Sequence, residues 1–118
     1  MPQKQNRPID PQAVAAATRV RLEGTAAARA RELLDTVCDP ARLQILRALR
    51  ETPLAASDLA QVIGRTRSAT SQHLRVLREA NVVTAERAGN VVRYRLATGE
   101  NAKIVAEVCA AFDRIAAA

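Results

Sequence analysis

The hydrophobic periodicity of this sequence changes near residue 81, and that change restricts the fold more than any other feature. Up to there, apolar residues recur at the three- and four-residue spacing of amphipathic helices. Between residues 81 and 96 they alternate with polar residues, as in strands, and Ala88, Gly89 and Asn90 separate two β-branched runs. Because Gly and Asn tolerate a positive φ, this segment is predicted to form a β-hairpin. Helical spacing then returns, so the order predicts an α+β fold that is mainly α, with about five helices and one two-stranded hairpin.

Capping residues mark the ends of the predicted helices. Asp10-Pro11 and Asp39-Pro40 each join an N-cap to a first-turn proline, whereas Gly64 and Asn81 are typical of helix C-termini. Residues 11–37 contain one helix, or two divided near Gly24 with Thr25 as the second N-cap. Further helices are expected at residues 40–51, 54–63 and 67–80, with a last one from about residue 100. Residues 1–9 are polar and predicted to be a flexible tail, before a single domain over residues 10–118.

The composition indicates a small aliphatic core with apolar surface to spare. Hydrophobic residues make up 48% of the 118 residues, but only Tyr94 and Phe112 are aromatic. Domains of this size bury a limited fraction of their surface, and dimerisation is a common remedy. The apolar faces expected in the helix at 54–63 and in the last helix comprise Leu59, Val62 and Ile63, and Ile104, Val108, Ala111, Phe112 and Ile115.

Several protein classes find no support in the sequence. No apolar run approaches the ~18 residues of a membrane span, and no apolar segment follows the basic start as it would in a secretory signal. Two cysteines 71 positions apart do not make a disulfide framework, which favours a reducing, cytoplasmic setting. We find no Gly-rich phosphate loop, nucleophile motif or metal-ligand cluster, so an enzyme is not expected.

Positive charge is concentrated in one quarter of the chain. Residues 65–95 contain seven Arg and two Glu, a net charge of +5, whereas the whole chain carries +6. Charge gathered in this way is typical of a surface that binds nucleic-acid phosphates, although a solvated basic face would give the same total.

The helix predicted at residues 67–80 has its charged and small polar side chains on one side and its packing side chains on the other, with no overlap. At about 100° per residue, all its Arg, Ser, Gln and Glu side chains fall on one arc, and the apolar ones with Thr70 and His73 fill the opposite arc. Arg can bond bidentately to guanine and Gln to adenine, while small Ser residues let the helix sit deep in the major groove. His73, on the packing arc, is expected to be a buried or half-buried core residue.

A short helix and a tight turn at Gly64 precede this helix, which together predict a helix-turn-helix. Arginines on the hairpin are then placed to reach phosphates or the minor groove, except that Arg95, at the hairpin base, is less well placed. The sequence therefore predicts a protein that binds duplex DNA to regulate transcription; an architectural or protein-interaction module without effector control is the alternative. The predicted DNA-binding residues are Arg65, Thr66, Arg67, Ser68, Ser71, Gln72, Arg75, Arg87, Asn90 and Arg93.

Residues 30–115 resemble the ArsR/SmtB family of bacterial winged helix-turn-helix repressors. The resemblance lies in CDPARLQILRALRE, in RTRSATSQHLRVLREANVV and in VVRYRL, which occur in that order. It implies a homodimer that pairs through its first and last helices, and that leaves a palindromic operator when an effector binds. It also implies that Arg67, Ser68, Ser71 and Gln72 read the DNA and that residues 87–93 form the wing.

The chain departs from the family's usual sensor sites. The helix at 54–63 has no Cys-x-Cys pair and the last helix has no His, so zinc or nickel sensing at those positions is not expected. Where persulfide sensors of the family carry a thiol, this chain has Arg47; Cys109 suits the second thiol position, and Cys38 lies just before the helix. Three interpretations stay open for Cys38 and Cys109: small buried hydrophobes, a redox- or sulfur-responsive dithiol, or thiolates holding a soft metal or arsenical across the dimer.

Overall fold

The computed structural model describes residues 7–117 and confirms the mainly α, α+β fold. Residues 1–6 of the predicted tail lie outside the described range, and residues 7–9 are exposed. No helix in the described part is long and apolar enough to cross a membrane. In chain order the elements are α1 (Pro11–Thr18), α2 (Gly24–Val37), α3 (Pro40–Glu51), β1 (Leu54–Ala55), α4 (Ala56–Ile63), α5 (Arg67–Glu79), β2 (Val83–Ala88), β3 (Val91–Leu96), α6 (Glu100–Ala111) and α7 (Asp113–Ala116).

The segment at 11–37 forms two helices rather than one. Asp10 caps α1 as expected, with its carboxylate accepting a hydrogen bond from the amide of Ala13 at 3.0 Å. The chain then turns, and α2 begins at Gly24, whose φ of +58° lies in the left-handed region that glycine adopts without strain. The expectation that Thr25 is the second N-cap is wrong, because Glu23 occupies that position and makes no side-chain capping bond. Helix α1 contributes no buried residue to the described fold.

The core lies where α3, α4 and α5 meet the sheet and α6. Its most buried members include Ile45 and Leu46 of α3, Leu59 of α4, and Leu74 and Leu77 of α5. Leu59, Leu74 and Leu77 are therefore buried on the packing sides predicted for their helices. Because α3, α4 and β2 pack against the buried side of α5, that helix is held firmly in the domain.

Val62 was predicted to face inward, but its side chain is 60% exposed. The buried side of α4 is centred on Leu59 and Ala60, with Ile63 half-buried beside them. At 100° per residue, Val62 lies roughly 100° from the middle of that side. The short helix therefore exposes Val62 to solvent, although Leu59, Ala60 and Ile63 pack against the rest of the domain.

The sheet has three strands instead of the two predicted, in the order β1-β3-β2 with both pairs antiparallel. β1 pairs Leu54 with Tyr94, and at two residues it is too short to leave an alternating pattern in the sequence. The predicted hairpin is confirmed, with Ala88 opposite Val91 across a two-residue turn. Gly89 adopts a φ of +64° in that turn, as hairpin turns of this kind require.

The last helix divides at Phe112 into α6 and α7. Only one side of α6, formed by Ala102, Val105 and Cys109, packs into the core. The apolar face predicted for this helix points largely away from it, because Phe112 is 40% exposed and Ile115 71% exposed. That face is consequently open in the single chain.

Candidate nucleic-acid interface

The turn between α4 and α5 sets the direction in which α5 leaves the domain. Gly64 adopts a φ of +66°, and the amide of Arg65 donates to the carbonyl of Ala60 at 3.0 Å, which closes the end of α4. Leu74 and Leu77 anchor the inner side of α5 with no solvent exposure. The predicted helix-turn-helix is present, and its second helix is held from behind.

The N-terminal turn of α5 is stabilised by its own capping residue. The hydroxyl oxygen of Thr66 accepts a hydrogen bond from the amide of Ala69 at 3.1 Å. The hydroxyl of buried Thr70 donates to the carbonyl of Thr66 at 2.8 Å. Although its hydroxyl oxygen accepts this capping bond, Thr66 still has its hydroxyl hydrogen to donate to DNA.

The outer side of α5 carries the side chains predicted to read DNA, and all of them are exposed. They lie next to one another along one face, opposite the buried leucines. The arc worked out from the sequence is correct except at Val76, which was assigned to the packing side and is 38% exposed. The exposed members of the predicted set on α5 and its preceding turn are Arg65, Thr66, Arg67, Ser68, Ser71, Gln72 and Arg75.

Two arginines of this basic segment are paired with carboxylates. Arg75 Nε lies 3.1 Å from Glu79 Oε1, one turn along α5, and Arg95 Nε lies 3.4 Å from Glu86 Oε2 on the hairpin. Exposed pairs of this type contribute only about 0.2–1 kcal/mol. A phosphate can therefore replace either carboxylate at small cost.

The hairpin register divides the wing arginines between two faces. Arg93 lies opposite Glu86, whereas Arg87 lies opposite Val92, one position farther towards the turn. Since side chains alternate along a strand, Arg93 and Arg95 share one face and Arg87 projects from the other. Asn90 is exposed in the turn between them. In the sequence, Arg87 and Arg93 form one set of predicted wing residues and are not assigned to different faces.

His73 is half-buried, as expected, and contacts α3 instead of the outer face. Its Nδ1 lies 3.4 Å from Arg42 Nη1, and Arg42 also donates to the carbonyls of Thr36 and Asp35 at 2.6 and 3.0 Å. Burial of nearby Asp39 opposes its ionisation, yet the amide of Arg42 and the charges of Arg42 and His73 hold the pKa of that carboxyl below its usual value. This cluster fastens α5 to the junction of α2 and α3.

The two cysteines occupy different environments. Cys38 is exposed just after α2, and Cys109 is buried in α6 near Leu46 and Arg50. Burial raises the pKa of the Cys109 thiol above its ordinary value, so the thiol is protonated at neutral pH and a weak nucleophile. Within residues 7–117, no three His, Cys, Asp or Glu side chains are placed to hold a metal ion.

Asp113 joins the end of the chain to α3. Its carboxylate accepts hydrogen bonds from Arg47 Nη1 at 2.6 Å and from Arg50 at 3.0 and 3.1 Å. The bonds from Arg50 and Arg47 lower the pKa of Asp113 to about 2. Arg47, which the resemblance places near a thiol position of persulfide sensors, forms an ion pair with Asp113 here.

Asn101 is a functional candidate that sequence reasoning missed. It lies in the first turn of α6 and hydrogen-bonds both to Arg29 of α2 and to the backbone at the end of α5. Polar side chains are common near the start of a helix, so Asn101 does not stand out in the sequence. Its hydrogen-bond partners, Arg29 and Ala80, are 72 and 21 residues away along the chain. No local pattern encodes such contacts.

Known proteins share both the sequence of this interface and the fold. Residues 39–85 match the family described as "Bacterial regulatory protein, arsR family". Over 50 residues the chain is 44% identical to the HTH-type transcriptional regulator NmtR of Mycobacterium tuberculosis, a match covering 42% of each protein. The chain thus matches about two fifths of the length of that curated relative.

Two solved structures extend the similarity over most of the chain. The transcriptional repressor BigR from Xylella fastidiosa superposes with a TM-score of 0.68 and 28% identity, over 86% of this chain and 94% of that one. The homodimeric winged helix-turn-helix DNA-binding domain of Mb0332 from Mycobacterium bovis, a possible ArsR-family transcriptional regulator, gives 0.66 and 26%, over 80% and 89%. The motifs, the helix-turn-helix and the wing agree with these matches: residues 39–85 have the sequence of the arsR family of bacterial regulatory proteins, and the chain has the fold of winged helix-turn-helix regulators similar to it.

Proposed function

We propose that this protein is a dimeric transcriptional repressor that binds a palindromic operator and releases it when an effector binds. The observation that carries the proposal is the two-sided recognition helix α5, whose leucines are fully buried while its Arg, Ser and Gln side chains are exposed. The N-terminal half of α5 enters the major groove, and the wing contacts neighbouring phosphates. Because bacterial DNA lies in the cytoplasm, we also propose that location.

The apolar surface of α2 and α6 supports dimerisation through these helices. A groove of about 370 Å³ runs between them, lined by Ala30, Leu33, Leu34, Val37, Ile104 and Val108 among others. Leu34 is 55% exposed on this surface, and Ile104 lies beside it at 37%. Exposed apolar patches of this kind mark interaction sites. We infer that a second copy covers the patch, and a two-fold dimer presents two α5 helices to a two-fold-related operator.

The test is to select preferred duplexes from a randomised library and to measure binding by fluorescence anisotropy. We expect wild-type dissociation constants of about 10⁻⁸ to 10⁻¹¹ M at physiological salt for a selected site. Ser68→Ala and Gln72→Ala should reduce discrimination between selected and unselected duplexes, because their side chains face the bases. Arg87→Ala and Arg93→Ala should weaken binding to both more evenly, because phosphate contacts carry no sequence information.

Arg31→Ala is the matched control, since it removes one positive charge from an exposed position on α2, outside the proposed DNA-contact surface. It should leave the preference for the selected duplex unchanged. Equal wild-type affinity for every duplex would refute a sequence-specific repressor and would indicate an architectural module.

Control by thiols is the remaining part of this proposal. Cys38 is open to reagents, whereas Cys109 would have to leave its buried position to bond another thiol or a soft metal. A shared Cys38–Cys109 site predicts that an oxidant, a persulfide or a thiophilic metal changes operator affinity. The double variant Cys38→Ser, Cys109→Ser should abolish that change; regulation that persists in the double variant would refute thiol control.

A further inference from the structure

Asn101 connects three helices through one side-chain amide. Arg29 of α2 donates from Nε and Nη2 to Asn101 Oδ1 at 3.1 and 2.8 Å. Asn101 Nδ2 in turn donates to the backbone carbonyl of Ala80 at 2.9 Å. These partners fix the orientation of the amide, because guanidinium groups only donate and a carbonyl only accepts. The result is a continuous hydrogen-bonded chain from α2, through α6, to the end of the recognition helix.

The carbonyl that Asn101 satisfies is left over when α5 ends. Asn81 adopts a φ of +60° and donates to the carbonyl of Arg78 at 3.0 Å, while Val82 donates to that of Leu77 at 3.0 Å. This pair of bonds is a Schellman ending, which satisfies two of the last carbonyls. The carbonyl of Ala80 lies beyond it in a residue that is 3% exposed, so a donor from elsewhere in the fold is needed.

We propose that Asn101 is a positioning residue for DNA binding, which sets the direction of α5 relative to α2 and α6. This inference rests on the proposed function, in which α2 and α6 form the dimer interface. α5 is capped by Thr66 at its start and held by Asn101 at its end. Two recognition helices must reach half-sites about 34–36 Å apart at the same time. The angle between each α5 and the dimer helices therefore matters for a full operator, but not for a single half-site.

Two substitutions break the chain of hydrogen bonds at different links. Asn101→Asp keeps an acceptor for Arg29 but cannot donate to the carbonyl of Ala80 when ionised. Arg29→Ala removes the link to α2 and leaves the bond between Asn101 and Ala80 possible. Arg31→Ala, two residues along the same helix, removes the same charge outside this hydrogen-bonded chain and is the control.

Hydrogen–deuterium exchange of the folded protein tests the chain of bonds without DNA. The amides of Ala80, Asn81 and Val82 report on the end of α5, and we expect them to exchange about fivefold faster in Asn101→Asp, the change that one hydrogen bond corresponds to. Arg29→Ala should accelerate the same amides, although the hydrogen bonds of Arg29 go to Asn101 and not to α5, whereas Arg31→Ala should not. Wild-type exchange at these amides in Arg29→Ala would overturn the proposed coupling.

Anisotropy with two duplexes then tests the consequence for DNA. One is a two-fold-symmetric duplex selected by the wild-type protein from the randomised library, and the other has one half-site scrambled. For both variants we expect affinity for the symmetric duplex to fall at least fivefold, with half-site affinity within twofold of wild type. Equal losses on both duplexes would overturn the positioning role and indicate general destabilisation. If the wild-type protein selects no sequence, the proposed function fails, and exchange alone decides whether Asn101 couples α2 to α5.

Discussion

Removing the N-cap of the recognition helix should lower the stability of each chain, and it should lower the operator affinity of the dimer by about twice that free energy. In Thr66→Ala the amide of Ala69 loses its 3.1 Å hydrogen bond, and the first turn of α5 frays. Loss of an N-cap costs about 1 kcal/mol. With an unfolding entropy of about 2.1 cal/mol/K per residue, this lowers Tm by roughly 4 °C in a chain of this length. A dimer has two such turns in the grooves, so the cost to operator binding reaches about 2 kcal/mol, roughly a 30-fold loss.

Thermal unfolding followed by circular dichroism measures the first effect, and anisotropy with a selected duplex measures the second. Thr66→Ser keeps the capping oxygen and should stay close to wild type in both assays. Asp10→Ala removes the equivalent cap of α1, whose carboxylate bonds the amide of Ala13, and should leave operator affinity unchanged. Thr66→Ala with wild-type stability would refute the capping argument. Weaker DNA binding at unchanged stability would indicate a direct contact from the Thr66 hydroxyl instead.

Three further predictions concern the core, the chain end and the thiols. Leu74→Ala should lower the free energy of unfolding by about 2–5 kcal/mol in chemical denaturation, because Leu74 is fully buried; a loss below 1 kcal/mol would contradict the packing described. Asp113 has a folded-state pKa of about 2 against an ordinary 3.8, so its ion pairs stabilise the fold above about pH 4 and are lost as pH falls towards 2. Asp113→Asn should remove that part of the pH dependence of Tm, and an unchanged acid profile would refute it. A thiol reagent should label Cys38 in the folded protein and Cys109 only after unfolding, as read by mass spectrometry of peptides; equal labelling rates would contradict the burial of Cys109.

Much of the interface was predictable because it depends on local spacing. The exposed face of α5 follows from the 100° step of a helix, and its start and end follow from Thr66 and Asn81, which act through neighbouring amides. The hairpin turn likewise follows from Gly89, whose positive φ the structure contains. Two of the errors occurred where an element is short, whereas Val76 was misplaced on the longer α5. β1 has two residues, and α4 is so short that its inner side could not be centred from the sequence, which misplaced Val62.

The sequence by itself determined which residues form the recognition helix and its wing, and which family the chain resembles, since all of these are properties of residues close together in the chain. Only the tertiary structure decided how the recognition helix is held. The contacts of His73 with Arg42 and of Asn101 with Ala80 join residues that no periodicity relates. The tertiary structure also placed Arg87 and Arg93 on opposite faces of the hairpin, because these faces depend on the register between β2 and β3. It buried Cys109 and left Cys38 exposed. Contacts between distant residues are set by how whole helices pack, and that packing is a property of the assembled core.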